Sequence, residues 1–193
     1  HVTEKAPTNV AIFTFPFGDL FDKNGITTAI VSWRKFSDNS TPTQAKMGGN
    51  YLNSIIATQE AKRNGVDEAI LLDQNGNVTE GTGCNFFLVK DNILYTPKAG
   101  DLLVGITRNT IINDLAPLLK IKTVEKFIEP FEVYNADEAF ITATPFCILP
   151  AVSLNGVTIG NGKPGKVTNF LLNKWSEFVK VDIVKQIKNW DNK

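Results

Sequence analysis

Three two-residue turn signals constrain this chain most strongly: Asn75-Gly76, Asp91-Asn92 and Asn155-Gly156. Each pair stands between two short runs that are rich in β-branched and aromatic residues. Asn, Asp and Gly tolerate the positive φ angles that a two-residue β-turn requires, so each pair predicts a hairpin of two antiparallel strands. A chain with three hairpins must build most of its core around a β-sheet.

Further strands are predicted for the apolar runs at residues 9–21, 25–36, 123–128, 138–144 and 148–154. Three other segments carry apolar residues at helical spacing, at residues 50–65, 105–120 and 166–190. Because strands dominate and hairpins join most of them, we predict an α+β fold with a barrel-like mixed β-sheet and flanking helices. The prediction treats residues 1–193 as one domain.

Composition excludes several classes of function. The 193 residues are 42% hydrophobic, which suffices for the core of one domain. Basic and acidic side chains balance at 20 each, so we expect no nucleic acid partner. No apolar run is long enough to cross a membrane, so we expect no membrane partner. His1 is the only histidine, which excludes Ser-His-Asp triads and His-ligated metals, and no metal site is predicted.

The two cysteines, Cys84 and Cys147, lie far apart and lack CxxC spacing. This pattern predicts free thiols in a reducing compartment, which we take to be the cytoplasm, with a single disulfide as the alternative.

Lys46 precedes two glycines and a predicted helix, in the stretch QAKMGGNYLNSII at residues 44–56. Such a lysine can be a solvated surface charge, part of a phosphate-binding loop, or a buried amine that attacks a carbonyl. The lysine of a P-loop follows its glycines, and the sequence contains no G-x-x-x-x-G-K-[ST] motif. The small residues that follow Lys46 leave room for another group to approach.

Three more features complement this amine. Glu80 follows a predicted hairpin and can pair with a cationic ring nitrogen. Gly105 to Thr107 open a predicted helix, whose free N–H groups favour a phosphate. Thr142 and Thr144 end a predicted strand and can complete a phosphate site. An amine, a carboxylate and two phosphate sites are the parts needed to hold pyridoxal 5′-phosphate (PLP) at its three ends.

The order of these motifs resembles the class IV (fold-type IV) PLP-dependent aminotransferases, and most closely the branched-chain amino acid aminotransferases. The matching segments cover about residues 9–170 and include FPFG, SWRKFSDNSTPTQAKMGGNYLNS, EAILLDQNGNVTEGTGCNFFLV, LVGITRNTI and NADEAFITAT. The resemblance implies the large, PLP-binding domain of the D-amino acid aminotransferase-like fold. We expect residues 1–193 not to include the family's smaller N-terminal domain, and residues 1–8 to be a leader or inter-domain segment.

The resemblance also implies roles for the cofactor-binding residues. Lys46 matches the lysine that forms a Schiff base with PLP and shuttles a proton during catalysis. Tyr51 matches the tyrosine that hydrogen-bonds the phenolic oxygen, and Glu80 the glutamate that pairs with the pyridine nitrogen. Leu103 matches the apolar residue against one ring face. The phosphate is expected at Gly105, Ile106, Thr107 and Thr144.

For the substrate, the resemblance implies contacts from Phe17, Pro145 and Phe146. The expected reaction moves the amine of leucine, isoleucine or valine to the cofactor and then to 2-oxoglutarate, in a homodimer or larger homo-oligomer. Pro145 departs from relatives with a small residue whose N–H helps hold the substrate carboxylate, since proline has no N–H. Leu20 lies near a position where branched-chain enzymes often carry a tyrosine. Both departures weaken the substrate assignment. Pro145 leaves D-amino acid aminotransferase and aminodeoxychorismate lyase as alternatives, against which FPFG and SWRKF speak.

A third alternative is a module that lacks catalytic activity, because the family's small domain contributes to both the phosphate site and the substrate pocket.

Overall fold

The computed structural model describes residues 9–14 and 24–185. Nine strands form one sheet: β1 (Ile26–Arg34), β2 (Glu68–Leu72), β3 (Val78–Gly81), β4 (Asn85–Lys90), β5 (Ile93–Pro97), β6 (Thr123–Lys126), β7 (Glu138–Ala143), β8 (Cys147–Leu154) and β9 (Val157–Thr158). The helices are α1 (Tyr51–Arg63), α2 (Ile106–Thr110), α3 (Ala116–Leu118), α4 (Pro130–Tyr134) and α5 (Lys166–Val179). A 3₁₀ turn (Gly48–Asn50) precedes α1, and a π-helical segment (Ile111–Leu115) joins α2 to α3.

The sheet closes on itself. Its order is β3-β2-β1-β8-β7-β4-β5-β6, and an additional pairing of β3 with β4 joins Glu80 to Asn85. Six strands therefore form a ring, with β5, β6 and β9 attached outside it. The pairs β1–β2, β1–β8 and β5–β6 are parallel and the others antiparallel. This arrangement confirms the predicted α+β fold with a barrel-like mixed sheet.

All three predicted hairpins are confirmed. Gly76 lies between β2 and β3 with φ +90°, and Asn155 and Gly156 join β8 to β9 with φ +50° and +78°. Asp91 and Asn92 join β4 to β5 with φ +52° and +58°, a conformation with two positive φ angles in succession. Turn chemistry alone was sufficient to predict these connections.

The apolar side chains of the described residues form one cluster inside the ring, a second outside it, and a smaller third one between α1 and the sheet. Each of the six ring strands contributes to the inner cluster: Ile26, Ile70, Val78, Phe86, Ile141 and Leu149. The outer cluster joins Phe87 and Phe140, which stack at 5.0 Å between ring centroids, to the helices through Ile111, Leu115 and Leu171. Phe86 and Phe87 are neighbours on β4 that point to opposite faces, as the alternation of a strand requires.

Two sequence-based expectations need correction. Residues 9–14, predicted as the start of a strand, form no regular structure, and Val10 and Ile12 are exposed. A β-rich composition does not make a strand unless a neighbouring strand offers its backbone groups. The remaining residues of that prediction, 15–21, lie outside the described part of the chain.

Helix α1 forms as predicted, but its apolar stripe faces outward. Leu52 and Ile55 are exposed, whereas Ala57 and Ala61 pack against β1 and β2. Small alanine side chains let the helix lie close to the sheet, which larger side chains prevent. Asn53 faces inward too, and its amide donates to the carbonyl of Arg34 (3.0 Å).

Two features were not predicted. Helix α4 follows a capping box between Glu129 and Glu132. The carboxylate of Glu138 on β7 accepts from the N–H groups of Val167 and Thr168 (both 2.8 Å), and so caps α5 from a distant strand. Of the described helices, none is both long and apolar enough to span a membrane.

Candidate active site

A cavity of about 700 Å³ lies beside the place where β3 and β4 close the ring. Parts of four segments line it, at residues 43–54, 80–85, 103–107 and 142–145, together with Lys35. They belong to the loop and first turns of α1, the β3–β4 connection, the entry to α2 and the end of β7. The volume falls within the range of about 300–1,000 Å³ that is usual for small-molecule sites.

Glu80 is the buried acid of this cavity, with 5% of its surface exposed. Its Oε1 lies 2.6 Å from Nζ of Lys35, and its Oε2 accepts from the N–H of Leu103 (3.1 Å) and the amide of Asn85 (3.3 Å). Burial raises the pKa of Glu80 above its usual value of 4.5, and the charge and hydrogen bond of Lys35 oppose that rise. Three residues therefore fix one carboxylate.

Lys46 and Tyr51 line the same cavity as Glu80. Lys46 is exposed, and 39% of Tyr51 is exposed, so the described residues do not bury this amine. The described residues leave this side of the cavity open. A β-carbon added at Gly48 or Gly49 would meet nothing within 4 Å. The two glycines therefore border open space next to the lysine.

The entry to α2 lies across the cavity. Gly105 is the N-cap with an extended conformation, Thr107 is buried, and Ile106 is 83% exposed. A β-carbon at Gly105 would lie 2.3 Å from Oδ1 of Asn85, so a larger residue does not fit there. Arg108, in the same turn, is buried and donates to the carbonyl of Pro97 (2.9 Å), which anchors this end of the helix.

Two threonines of β7 and the following turn also line the cavity. Thr144 is exposed, whereas Thr142 is 1% exposed. Within residues 9–14 and 24–185, the hydroxyl of Thr142 has no hydrogen-bond partner. A buried polar group without a partner is costly, so a ligand that accepts or donates there would satisfy it.

The β3–β4 connection is held by a second buried carboxylate. Oε1 of Glu68 accepts from the N–H (2.9 Å) and hydroxyl (2.7 Å) of Thr82 and from the N–H of Ala69 (3.0 Å). Burial raises the pKa of Glu68 above 4.5, against the effect of these hydrogen bonds. Cys84 is buried beside it, and both cysteines are free, as the sequence predicted.

The structure describes only some of the residues that we expected near the substrate. Phe17 and Leu20 lie outside the described residues. Pro145 lines the cavity, but Phe146 is absent from its lining and packs against the inner core cluster.

The sequence did not single out Lys35 or Asn85. Lys35 follows β1 and Asn85 begins β4, and nothing local to either residue indicates that both reach Glu80.

Residues 3–154 match the family model described as amino-transferase class IV. The chain belongs to this family. It is 39% identical to a probable branched-chain-amino-acid aminotransferase of Aquifex aeolicus over 183 residues, which covers 94% of this chain and 58% of that protein.

Solved structures of the family have the same fold. A branched-chain amino acid aminotransferase of Escherichia coli superposes with a TM-score of 0.80 at 39% identity, and covers 86% of this chain and 55% of that one. The PLP form of a Thermobaculum terrenum branched-chain amino acid aminotransferase has a TM-score of 0.79 at 31% identity, with 90% and 57% covered. This class IV chain thus spans little more than half the length of the relatives it matches.

Proposed function

We propose that this class IV aminotransferase uses PLP to transfer the amino group of leucine, isoleucine or valine to 2-oxoglutarate. One observation carries the proposal: a buried carboxylate, Glu80, and an accessible amine, Lys46, face one cavity beside a helix N-terminus. The names of the relatives, branched-chain-amino-acid aminotransferases, support the choice of substrate.

The residues of the cavity fit PLP. Glu80 suits a cationic ring nitrogen, the entry to α2 suits a phosphate, and the buried hydroxyl of Thr142 lacks a partner among the described residues. When bound, PLP supplies an aldehyde carbon for an amine and a pyridinium ring that withdraws electrons. A related structure is described as the PLP form of such an enzyme.

Four side chains would act at the ring and its substituents. Nζ of Lys46 would bind the aldehyde carbon, and would later take and return the proton of the substrate's α-carbon. Glu80 would accept from the ring N–H and keep that nitrogen protonated. Tyr51 would donate to the phenolic oxygen, and Leu103 would pack against one face of the ring.

The phosphate would be held where α2 begins. The N–H groups of Ile106 and Thr107 have no intrahelical partners at this end of the helix, and the hydroxyls of Thr107 and Thr144 add donors. Gly105 allows the close contact between this turn and Asn85. These residues would orient the ring so that its reactive carbon faces Lys46.

The residues expected near the substrate depart from the family pattern at one position. Pro145 lines the cavity but has no N–H to offer a substrate carboxylate. Phe17 is proposed, from the family resemblance, to contact the branched side chain.

The test is an assay of the full-length protein with 2-oxoglutarate as acceptor. Leucine, isoleucine and valine should be transaminated, and D-alanine should not. Turnover of D-alanine without activity on these three would assign a different substrate class, and release of pyruvate from aminodeoxychorismate would assign the lyase.

We further propose that the active protein is a homodimer or larger homo-oligomer and resides in the cytoplasm. Exposed Leu52, Ile55 and Ile106 beside the cavity support the first proposal, and the two free thiols support the second. Sedimentation velocity on the full-length protein tests the first, because a monomer at micromolar concentration would contradict it. Fractionation of the producing cells tests the second.

A further inference from the structure

Two lysines line the cavity, and they differ in their surroundings. Lys46 is exposed, whereas Nζ of Lys35 lies 2.6 Å from Oε1 of Glu80, with 10% and 7% of the two side chains exposed. An ammonium group engaged in a buried ion pair has no lone pair with which to attack a carbonyl. The two lysines are therefore suited to different tasks.

The backbone of Lys35 is fixed on both sides. Its N–H donates to the carbonyl of Leu72 at the end of β2 (2.8 Å), and its carbonyl accepts from the side-chain amide of Gln74 in the β2–β3 turn (2.9 Å). Residues of a neighbouring strand and its hairpin thus hold Lys35 in place just after β1 ends. From there its side chain reaches Glu80 on β3.

The partners of Glu80 are divided between its two oxygens. Lys35 binds Oε1, and Leu103 and Asn85 bind Oε2. The partners of Oε2 are neutral groups, so Lys35 supplies the cation in direct contact with this buried carboxylate, and the charge of Lys46 adds a smaller effect in the same direction. A buried carboxylate that loses its cation gains a proton more readily. A neutral carboxyl group is a poor acceptor for a protonated ring nitrogen.

We propose that Lys35 is a positioning residue, which holds Glu80 ionised and oriented toward the ring nitrogen of the cofactor and leaves Lys46 as the reactive amine. The consequence of this contact for catalysis rests on the proposed function. The contact between Lys35 and Glu80 itself can be tested without cofactor or substrate.

The first experiment titrates the Glu80 carboxyl by ¹³C NMR in the unliganded protein, with Lys35→Met and Lys35→Arg as a matched pair. Methionine preserves the bulk of the side chain and removes the charge, so the pKa of Glu80 should rise. Arginine restores a cation, so the pKa should return to that of the unchanged protein. An unaltered pKa in Lys35→Met overturns the proposal.

The second experiment needs no Lys35 variant and therefore does not depend on whether Lys35→Met folds. Limited acetylation of the unliganded protein, followed by peptide mass spectrometry, should modify Lys46 much faster than Lys35. Glu80→Gln should speed the modification of Lys35 much more than that of Lys46. Equal rates at both lysines in the unchanged protein, or no effect of Glu80→Gln, contradict the proposal.

The third measurement is turnover in the full-length protein. Misplacing a catalytic partner can cost about 10²-fold in rate, so Lys35→Met should lower kcat by about that factor and Lys35→Arg should restore most of it. Unchanged kcat in Lys35→Met overturns the catalytic part of the inference. If the unchanged protein does not transaminate at all, the proposed function fails, and the Glu80 titration still decides whether Lys35 controls that carboxylate.

Discussion

Oδ1 of Asn85 lies 2.3 Å from the position that a β-carbon would take on Gly105. Asn85 cannot retreat freely, because its amide donates to the carbonyl of Leu103 (2.7 Å) and to Oε2 of Glu80 (3.3 Å). The entry to α2 and the carboxylate of Glu80 are thus coupled through one buried amide. Close backbone approach, and not a special φ angle, requires glycine here, since φ of Gly105 is −67°.

Gly105→Ala is therefore expected to destabilise the protein by about 1–3 kcal/mol, the usual cost of inserting a methyl group into a packed site. The matched control is Gly49→Ala, where an added β-carbon meets nothing within 4 Å and should change stability by less than about 0.5 kcal/mol. Urea unfolding of both variants provides the measurement. Equal stability of the two would contradict the predicted close contact.

Lys46→Ala should abolish the PLP adduct that borohydride traps in the full-length protein. Because Lys46 is exposed, the change should leave the free energy of unfolding within about 0.5 kcal/mol of the unchanged protein. Peptide mapping after reduction locates the adduct. An adduct that persists on another lysine would show that Lys46 is not the reactive amine.

Thr142→Val should weaken the binding of PLP without lowering the stability of the protein. The substitution replaces a buried hydroxyl, which has no partner in the described part of the chain, by a methyl group of similar size. Stability without ligand should stay the same or rise by up to about 1 kcal/mol. Loss of one hydrogen bond to a bound ligand should weaken PLP binding by about fivefold. Thermal unfolding and a fluorescence titration with PLP measure the two effects, and unchanged affinity would remove Thr142 from the site.

Glu68→Gln should change how stability depends on pH. The folded-state pKa of Glu68 is raised above 4.5 by burial, so the folded chain binds that proton more tightly than the unfolded chain. Its contribution is full below pH 4.5 and is lost as the pH rises through the raised pKa. Glutamine never loses a proton, so the stability of the variant relative to the unchanged protein should increase above pH 4.5.

Asp137→Asn provides a control of opposite sign for this pH series. The hydrogen bond from Lys90 lowers the pKa of Asp137 below 3.8, so its contribution is present above pH 3.8 and is lost at lower pH. Asparagine should therefore cost stability at neutral pH and little at pH 3. Urea unfolding between pH 3 and 8 covers both variants, and parallel curves for Glu68→Gln and the unchanged protein would contradict the first prediction.

Neither thiol should react rapidly with a disulfide reagent at pH 8 in the folded protein. Burial raises the pKa of Cys147 to about 11 and the pKa of Cys84 well above 9.0, and the thiolate is the reactive form. Two thiols should react after unfolding in guanidinium chloride. The half-buried Cys147 should react faster as the pH approaches 11, and rapid reaction of either folded thiol at pH 8 would contradict the prediction.

The features that the sequence predicted correctly depend on neighbours in the chain. Asn75-Gly76, Asp91-Asn92 and Asn155-Gly156 determine hairpins because turn conformation is set by the residues within the turn. The helix at 166–179 follows from periodic apolar residues, whereas the same kind of pattern at 51–63 predicted the helix but not the face that packs. The family resemblance rests on the same kind of local information, since its motifs are short and contiguous.

Tertiary structure alone decided the features that join distant segments. The closure of the ring at Glu80 and Asn85, the contact of Lys35 with Glu80, and the capping of α5 by Glu138 each join residues from different elements. The packing of the other elements likewise decides which face of α1 points outward and leaves Lys46 exposed. The sequence by itself determined the turns, most of the elements and the candidate amine and carboxylate, because these depend on local conformation and on residue type. Contacts between elements far apart in the chain decide which lysine pairs with that carboxylate and which lysine is exposed. Only the assembled fold specifies these contacts, because their free energies depend on residues that are distant in sequence.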